Sequence, residues 1–334
     1  MKRFYKKGIS LFLILLMSFP LCACKSDDSK ALTTVKLNEV AHSIFYAPMY
    51  VAIEKGYFED EGIELSLTTG FGADKTMAAV VSGDADVGFM GTEASIYAYT
   101  EGAKDHVINF AQLTQRAGNF VVARKNTDSF SYEDMIGKDV LGGRAGGTPE
   151  MVYEYVLREN GVSPSEVKID QSIDFGSTAA AFSGGQGDYT IEFEPSATAL
   201  EQSGDGYVVA SIGVDSGYLP YTAFCAKESY LKENADLIQH FTNALQKGMD
   251  YVAGHSPEEI ATVIAPQFSE TDLKTLTLIV SRYYDQETWN TDLILREEGY
   301  DLMLTILEES GVLSGAAPYE DLVNTDFAEK ASTP

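Results

Sequence analysis

Short apolar runs with a β-rich composition alternate along the first third of the chain with segments whose apolar residues recur at helical spacing. Val35–Ala41, Ile63–Thr68, Asp86–Met90 and Val107–Leu113 read as strands, and Ala47–Glu61, Asp74–Ser82 and Glu93–Glu101 as helices. That β-α-β-α order predicts a parallel sheet covered by helices. Asn119–Arg124 is a further strand, after which a second alternating series begins. Its strands are Asp139–Leu141, Val167–Ile169, Tyr189–Phe193 and Tyr207–Ser211, and its helices lie near Thr148–Asn160, Ser177–Phe182 and Pro195–Gln202. Thr222–Ala226 matches Asn119–Arg124 in length and apolar content, so the two predict crossovers into and out of a second lobe. From Glu228 onward the pattern is helical. Leu237, Phe241, Leu245, Met249 and Val252 form one stripe, and Leu273, Leu276, Val280 and Tyr284 another. Between them, Ser256-Pro257-Glu258-Glu259 supplies an N-cap, a proline at N1 and a capping-box glutamate. The expected fold is α/β with two lobes, each a mostly parallel sheet flanked by helices. Lobe one takes 35–124 and 223–334, and lobe two takes 125–222.

The head of the chain follows a different pattern. Lys2, Arg3, Lys6 and Lys7 precede an apolar run from Ile9 to Phe19, too short to span a bilayer. Leu21-Cys22-Ala23-Cys24 comes next. A charged start, a short apolar core and a small residue before the cut make an export signal over 1–23. The Leu-x-Ala-Cys ending resembles a bacterial lipobox, which implies a lipid on Cys24 and a body held at the membrane outside the cytoplasm. The alternative is an ordinary secretory signal with chance cysteines. Lys25 to Thr34 is polar and without periodicity, so 24–34 reads as a flexible tether.

Loss of that signal changes the charge. Of 24 Lys+Arg, 20 remain against 50 Asp+Glu, a formal charge near −30. A field of that sign repels phosphate backbones, which excludes nucleic acid as a partner. About 310 mature residues suffice for two cores. Only Cys225 remains besides Cys24, so no intramolecular disulfide is expected, and His42, His106, His240 and His255 show no metal-ligand spacing. No cofactor is implied, and the body is expected to be a monomer.

The most specific stretch runs from Phe45 to Leu65 (FYAPMYVAIEKGYFEDEGIEL), a loop, a helix with Pro48 near its start, glycine breaks at Gly56 and Gly62, and a strand. Three more motifs follow in order: Ser82-Gly83-Asp84-Ala85-Asp86-Val87-Gly88, Gly91-Thr92-Glu93, and Gly187 to Pro195 (GDYTIEFEP). Together they resemble the solute-binding proteins of the sulfonate, nitrate, taurine and thiamine-pyrimidine group of ATP-driven importers, over about residues 35–310. The resemblance implies a type II periplasmic-binding-protein fold, a small ligand held between the lobes, a membrane permease of the ABC type as partner, and no catalysis.

Physical reasoning places the ligand in the same region. In open α/β sheets ligands lie beyond the carboxyl ends of strands, where loops lead into helix N-termini rich in unpaired N–H groups. His42–Tyr46, Gly70–Ala73, Gly91–Glu93 and Gly142–Thr148 occupy that position, the last with Thr148 as expected N-cap and Pro149 at N1. It contains neither a phosphate-binding loop nor a dinucleotide fingerprint. The candidate ligand contacts are therefore His42, Phe45, Tyr46, Phe71, Gly72, Thr92, Glu93, Gly147, Thr148 and Tyr221, with Arg116, Phe193 and Glu194 beside them. Each aromatic among them serves either core or ligand.

Charge separates two ligand classes. Glu93 and Glu194 are acceptors for the N–H groups of an amine or aminopyrimidine, whereas Arg116 suits an anionic head group. Glu93 equally suits a cap on its own helix, and Arg116 a pair with a nearby carboxylate. Two glutamates facing the cleft favour a donor-rich ligand, which within the resembled group points to a thiamine-type pyrimidine precursor. The alternative within that group is a sulfonate, taurine or nitrate receptor. Two readings of other kinds compete with these. A related group makes the thiamine pyrimidine with a sacrificed histidine and a cysteine-rich motif, but this chain has one body cysteine and no cluster. A lipoprotein sensor signalling to a membrane receptor fits the same sequence.

Overall fold

The computed structural model describes residues 32–333 apart from 128, 174 and 314, and apart from the side chain of 175. The expected signal, Cys24 and the tether as far as residue 31 lie outside the described residues. Thr33 and Thr34, expected in that tether, open the first strand, opposite Ile63 and Glu64.

In chain order the strands are β1 (Thr33–Glu39), β2 (Ile63–Thr69), β3 (Val87–Met90), β4 (Val107–Thr114), β5 (Asn119–Ala123), β6 (Asp139–Leu141), β7 (Lys168–Asp170), β8 (Tyr189–Phe193), β9 (Tyr207–Ser211) and β10 (Thr222–Lys227). They form two five-stranded sheets, in the orders β2-β1-β3-β10-β4 and β7-β6-β8-β5-β9. In the first, β1 runs parallel to β2 and β3, and β10 is antiparallel to both its neighbours. The second repeats the plan, with β6 parallel to β7 and β8 while β5 runs against β8 and β9. The reversed strand of each sheet is thus one of the two crossover strands.

This corrects one boundary. Asn119–Arg124 was expected in lobe one, but β5 pairs Val121 with Ile191 and Ala210 inside the second sheet. Every residue of β5 is buried, as an interior strand covered on both faces requires. Only residues 115–118 separate it from β4.

Helices fill the expected gaps with one break. Ala47–Glu61 divides into Ala47–Glu54 and Tyr57–Asp60, because Gly56 sits at φ 71 between them. Helix Ala235–Gly254 buries Phe241, Leu245, Met249 and Val252 as predicted, with Ile238 rather than Leu237 at its start. Helix Leu273–Asp285 buries Leu276, Ile279, Val280 and Tyr283; Leu273 and Tyr284 face solvent, since the i, i+3, i+4, i+7 face falls one residue earlier.

That last helix joins the two halves. One side packs on helix Pro257–Ile264. From the other, Arg282 Nη1 meets Glu194 Oε1 at 2.7 Å and Thr198 Oγ1 at 3.0 Å, its Nη2 pairs with Glu201, and Thr275 Oγ1 accepts from Gln202 Nε2 at 3.1 Å. It is therefore shared between the lobes. Among the described residues no helix is long and apolar enough to cross a membrane.

Candidate functional site

Two helix starts face each other across the gap between the sheets. Helix Glu93–Thr100 follows β3, and helix Thr148–Glu159 follows β6 through the Gly142–Gly147 turn. Glu93 is buried with only 7% of its surface exposed. Its carboxylate folds back over Gly91, where an added Cβ would crowd Oε2 and push the carboxylate aside. Burial pushes the Glu93 carboxyl up to about 6, partly offset by Thr148 beside it in the other lobe and by Glu93's own backbone N–H. Thr148 is nevertheless not close or aligned enough to form a hydrogen bond. Glu93 Oε2 and Thr148 Oγ1 are both buried without a hydrogen-bond partner among the described residues.

Of the other buried oxygens in that condition, those of Asn119 and Tyr221 flank the same gap, while Gln239 Oε1 lies on helix Ala235–Gly254. Asn119 donates from Nδ2 to Pro149 O at 3.4 Å, the only orientation a carbonyl permits, which leaves Oδ1 buried and unpaired. Tyr221 is 5% exposed and its hydroxyl is likewise unpaired. Burial raises its pKa well above the usual phenol value, and Tyr46 and Glu93 add to the rise. The same buried Glu93 acts on Tyr46, whose pKa is raised first by burial, then by Glu39 and Glu93. Glu93, Thr148, Asn119, Tyr221 and Tyr46 thus converge from both sheets.

An aromatic wall supports them. Phe45 packs edge-on to Tyr221 at 5.7 Å and tilted against Tyr46 at 5.4 Å and Tyr283 at 5.1 Å, with Phe193 at 6.5 Å. Gly118 makes room for its ring, since a Cβ there would lie 2.8 Å from it. Trp289, the only tryptophan in the chain, donates from Nε1 to Phe45 O at 2.9 Å. Tyr283 Oη donates to Gly118 O at 3.1 Å.

Several expected contacts lie elsewhere. Phe71 is 77% exposed, at φ 57, on the turn after β2, and Gly72 caps the next helix while its N–H bonds Val40 O. Thr92 is buried, but its hydroxyl donates to Pro220 O at 2.8 Å. Gly147, not Thr148, is the N-cap, its carbonyl accepting from Glu150 N and Met151 N, which is what frees the Thr148 hydroxyl. Arg116 donates to Gly213 O and Val214 O, pairs with Glu287 at 3.1 Å and lies 4.1 Å over the Tyr218 ring, so its charge is matched away from Glu93. Glu194, buried, accepts from Thr198 N, Thr198 Oγ1 and Arg282, which makes it a helix cap and ion-pair partner. His42 is bound to Glu39 and Gln267. The sequence reading missed Asn119, a polar residue opening an apolar strand, and Glu39, a carboxylate three residues before a histidine.

Acceptors therefore dominate the pocket. A carboxylate and an amide oxygen can only accept, while the hydroxyls of Thr148 and Tyr221 accept or donate. No cluster of three or more His, Cys, Asp or Glu side chains suited to a metal occurs among the described residues. Cys225 is buried, and burial pushes its thiol up to about 12, which leaves no thiolate for nucleophilic chemistry.

Comparison with known proteins agrees with this architecture. The family described as NMT1/THI5 like matches residues 44–260. YtlA of Bacillus subtilis (strain 168), provisionally named a binding protein, is 43% identical over 334 residues, covering 100% of this chain and 99% of its own. The periplasmic aliphatic sulphonate-binding protein SsuA of Escherichia coli superposes with a TM-score of 0.70 at 16% identity, over 86% of this chain and 96% of that one. The periplasmic nitrate-binding protein NrtA of Synechocystis PCC 6803 gives 0.69 at 16%, over 90% and 88%. The fold is that of the type II periplasmic binding proteins.

Proposed function

Because the chain belongs to the NMT1/THI5-like family, we propose that it is the solute-binding component of an ATP-driven importer, lipid-anchored through Cys24 outside the cytoplasm, that captures a small N–H-donating ligand between its lobes. A thiamine-type aminopyrimidine precursor is the ligand class that suits it. The carrying observation is the set of four unpaired buried oxygens on Glu93, Asn119, Thr148 and Tyr221. Leaving such a group unpaired costs about 1–3 kcal/mol each, and a ligand that donates to them recovers that cost. Their origin in both sheets means that contact with one ligand draws the lobes together. The closing bodies are the β1–β4 and β10 sheet on one side and the β5–β9 sheet on the other, with a membrane permease reading the closed form.

The likeness in fold to sulphonate- and nitrate-binding proteins supports a receptor role. It does not carry their ligands, and the anion reading would have to use Arg116, whose Nη1 and Nη2 are taken by Gly213 O, Val214 O and Glu287, with only Nε buried and unpartnered among the described residues. Binding rather than catalysis is also the reading that the inert Cys225 supports.

Thermal melting of the protein without residues 1–24 tests this. With 4-amino-2-methylpyrimidine at a hundred times its dissociation constant, stabilisation is about 2.7 kcal/mol, a rise of several degrees. Nitrate and alkylsulfonates produce none. Glu93→Gln weakens aminopyrimidine binding at least tenfold, given roughly 1.5–3 kcal/mol for a hydrogen bond to a charged group. A shift with alkylsulfonates alone overturns the ligand class.

A further inference from the structure

Behind the Phe45–Tyr46 wall lies a cluster of titratable side chains that the ligand contacts leave unused. Glu39, at the end of β1, is fully buried. It accepts from Tyr50 Oη at 2.6 Å through Oε2 and from Thr69 Oγ1 at 2.9 Å through Oε1. His42 Nδ1 lies 3.1 Å from the same Oε1 and 3.0 Å from Tyr50 Oη. Its Nε2 lies 2.9 Å from Gln267 O.

Counting protons shows what the cluster requires. Tyr50 has one hydroxyl proton and places it on Glu39, so it faces Nδ1 as an acceptor. Gln267 O is a carbonyl and only accepts, so Nε2 must donate. Both ring nitrogens therefore face acceptors, yet a neutral imidazole carries one N–H. The further proton sits either on Nδ1, as imidazolium against carboxylate, or on Glu39 Oε1, as a carboxylic acid donating to neutral Nδ1. In both forms Glu39 and His42 share one proton, and without it two lone-pair-bearing atoms press together at 3.1 Å.

We propose that Glu39 and His42 are positioning residues whose shared proton clamps Ser43–Tyr46 in its cleft-lining place. Ser43 N bonds the same Tyr50 Oη at 3.3 Å, which ties the segment to the cluster. The Phe268 ring, 4.9 Å away and tilted by 31°, favours a cationic imidazole. The His42 side chain is 35% exposed against 1% for Glu39, so bulk protons reach the pair through the imidazole. The groups facing it are Tyr50 from helix Ala47–Glu54, Thr69 from β2, Gln267 and Phe268 from the turn after helix Pro257–Ile264, and Tyr46, whose phenol Glu39 raises. Glu54 is reached only through the Gln267 amide. The clamp holds in the proton-bound state and releases when the shared proton is lost. Its effect on ligand affinity rests on the cleft reading above, whereas release of the segment is read without ligand.

Trp289 supplies that reading, because its Nε1–H holds Phe45 O. In ligand-free wild-type protein, tryptophan emission moves to longer wavelength as pH is raised from about 5 to 9. Glu39→Gln replaces the shared proton by a permanent amide N–H that faces neutral Nδ1 and Thr69, with the amide oxygen left to accept from Tyr50. That variant keeps the wild-type low-pH emission maximum at every pH. His42→Gln, a second variant in case the first folds poorly, likewise abolishes the transition. A flat wild-type profile, or a transition that persists in both variants, overturns the clamp.

Discussion

A carboxyl that burial pushes up to about 6, as at Glu93, holds its proton more tightly in the folded chain than in the unfolded one, where it titrates near 4.5. Raising the pH from about 4.5 to 6 therefore strips a proton from the unfolded state first, and the unliganded fold loses stability over that window, by about 2 kcal/mol. Urea unfolding across the window checks this, with Glu93→Gln removing that part of the slope. Glu150 and Glu192, which burial pushes to about 7, add slope of the same sign that persists in the variant. A donor ligand favours the ionised carboxylate, so aminopyrimidine affinity falls as pH drops through about 6, the opposite trend. Glu93, Thr148 and Tyr221 were legible in the sequence because each sits where a strand hands over to a helix or a crossover. Arg116 and Glu194 were placed in the cleft by the same logic, but their charge partners Glu287 and Arg282 lie 171 and 88 residues away, beyond any local pattern.

Among the elements, helix Leu273–Asp285 has the least local role. Its stripe announced a helix but not that Arg282 would reach across to Glu194, whose side chain is fully buried. Arg282→Leu leaves that carboxylate without its counter-charge and lowers unfolding free energy by roughly 3 kcal/mol, the low end for a buried pair because Arg282 keeps a fifth of its side chain exposed. Denaturant midpoints measure the loss, and the aminopyrimidine preference stays as in wild type. Strand positions were readable to within a residue or two from their apolar runs, whereas the sheet that β5 joins was not. A fully buried five-residue strand fits the middle of either sheet, and pairing with β8 and β9 is decided by tertiary contact.

On the scale of the molecule, the lipid proposed on Cys24 would tie an acidic body of formal charge near −30 to the membrane. Cys24→Ala leaves the body's melting temperature unchanged and moves the protein from the detergent phase to the aqueous phase on Triton X-114 partition; retention in detergent sinks the anchor. The order β2-β1-β3-β10-β4 has a consequence of another kind, for the timing of folding. A slot between β3 and β4 stays open until β10 arrives, and Cys225 then meets Gly88 137 residues back along the chain. Closing so long a loop is slow, because its entropy is lost before any contact repays it. The first sheet therefore cannot lock before residue 227 has been made, although its other four strands are complete by residue 114.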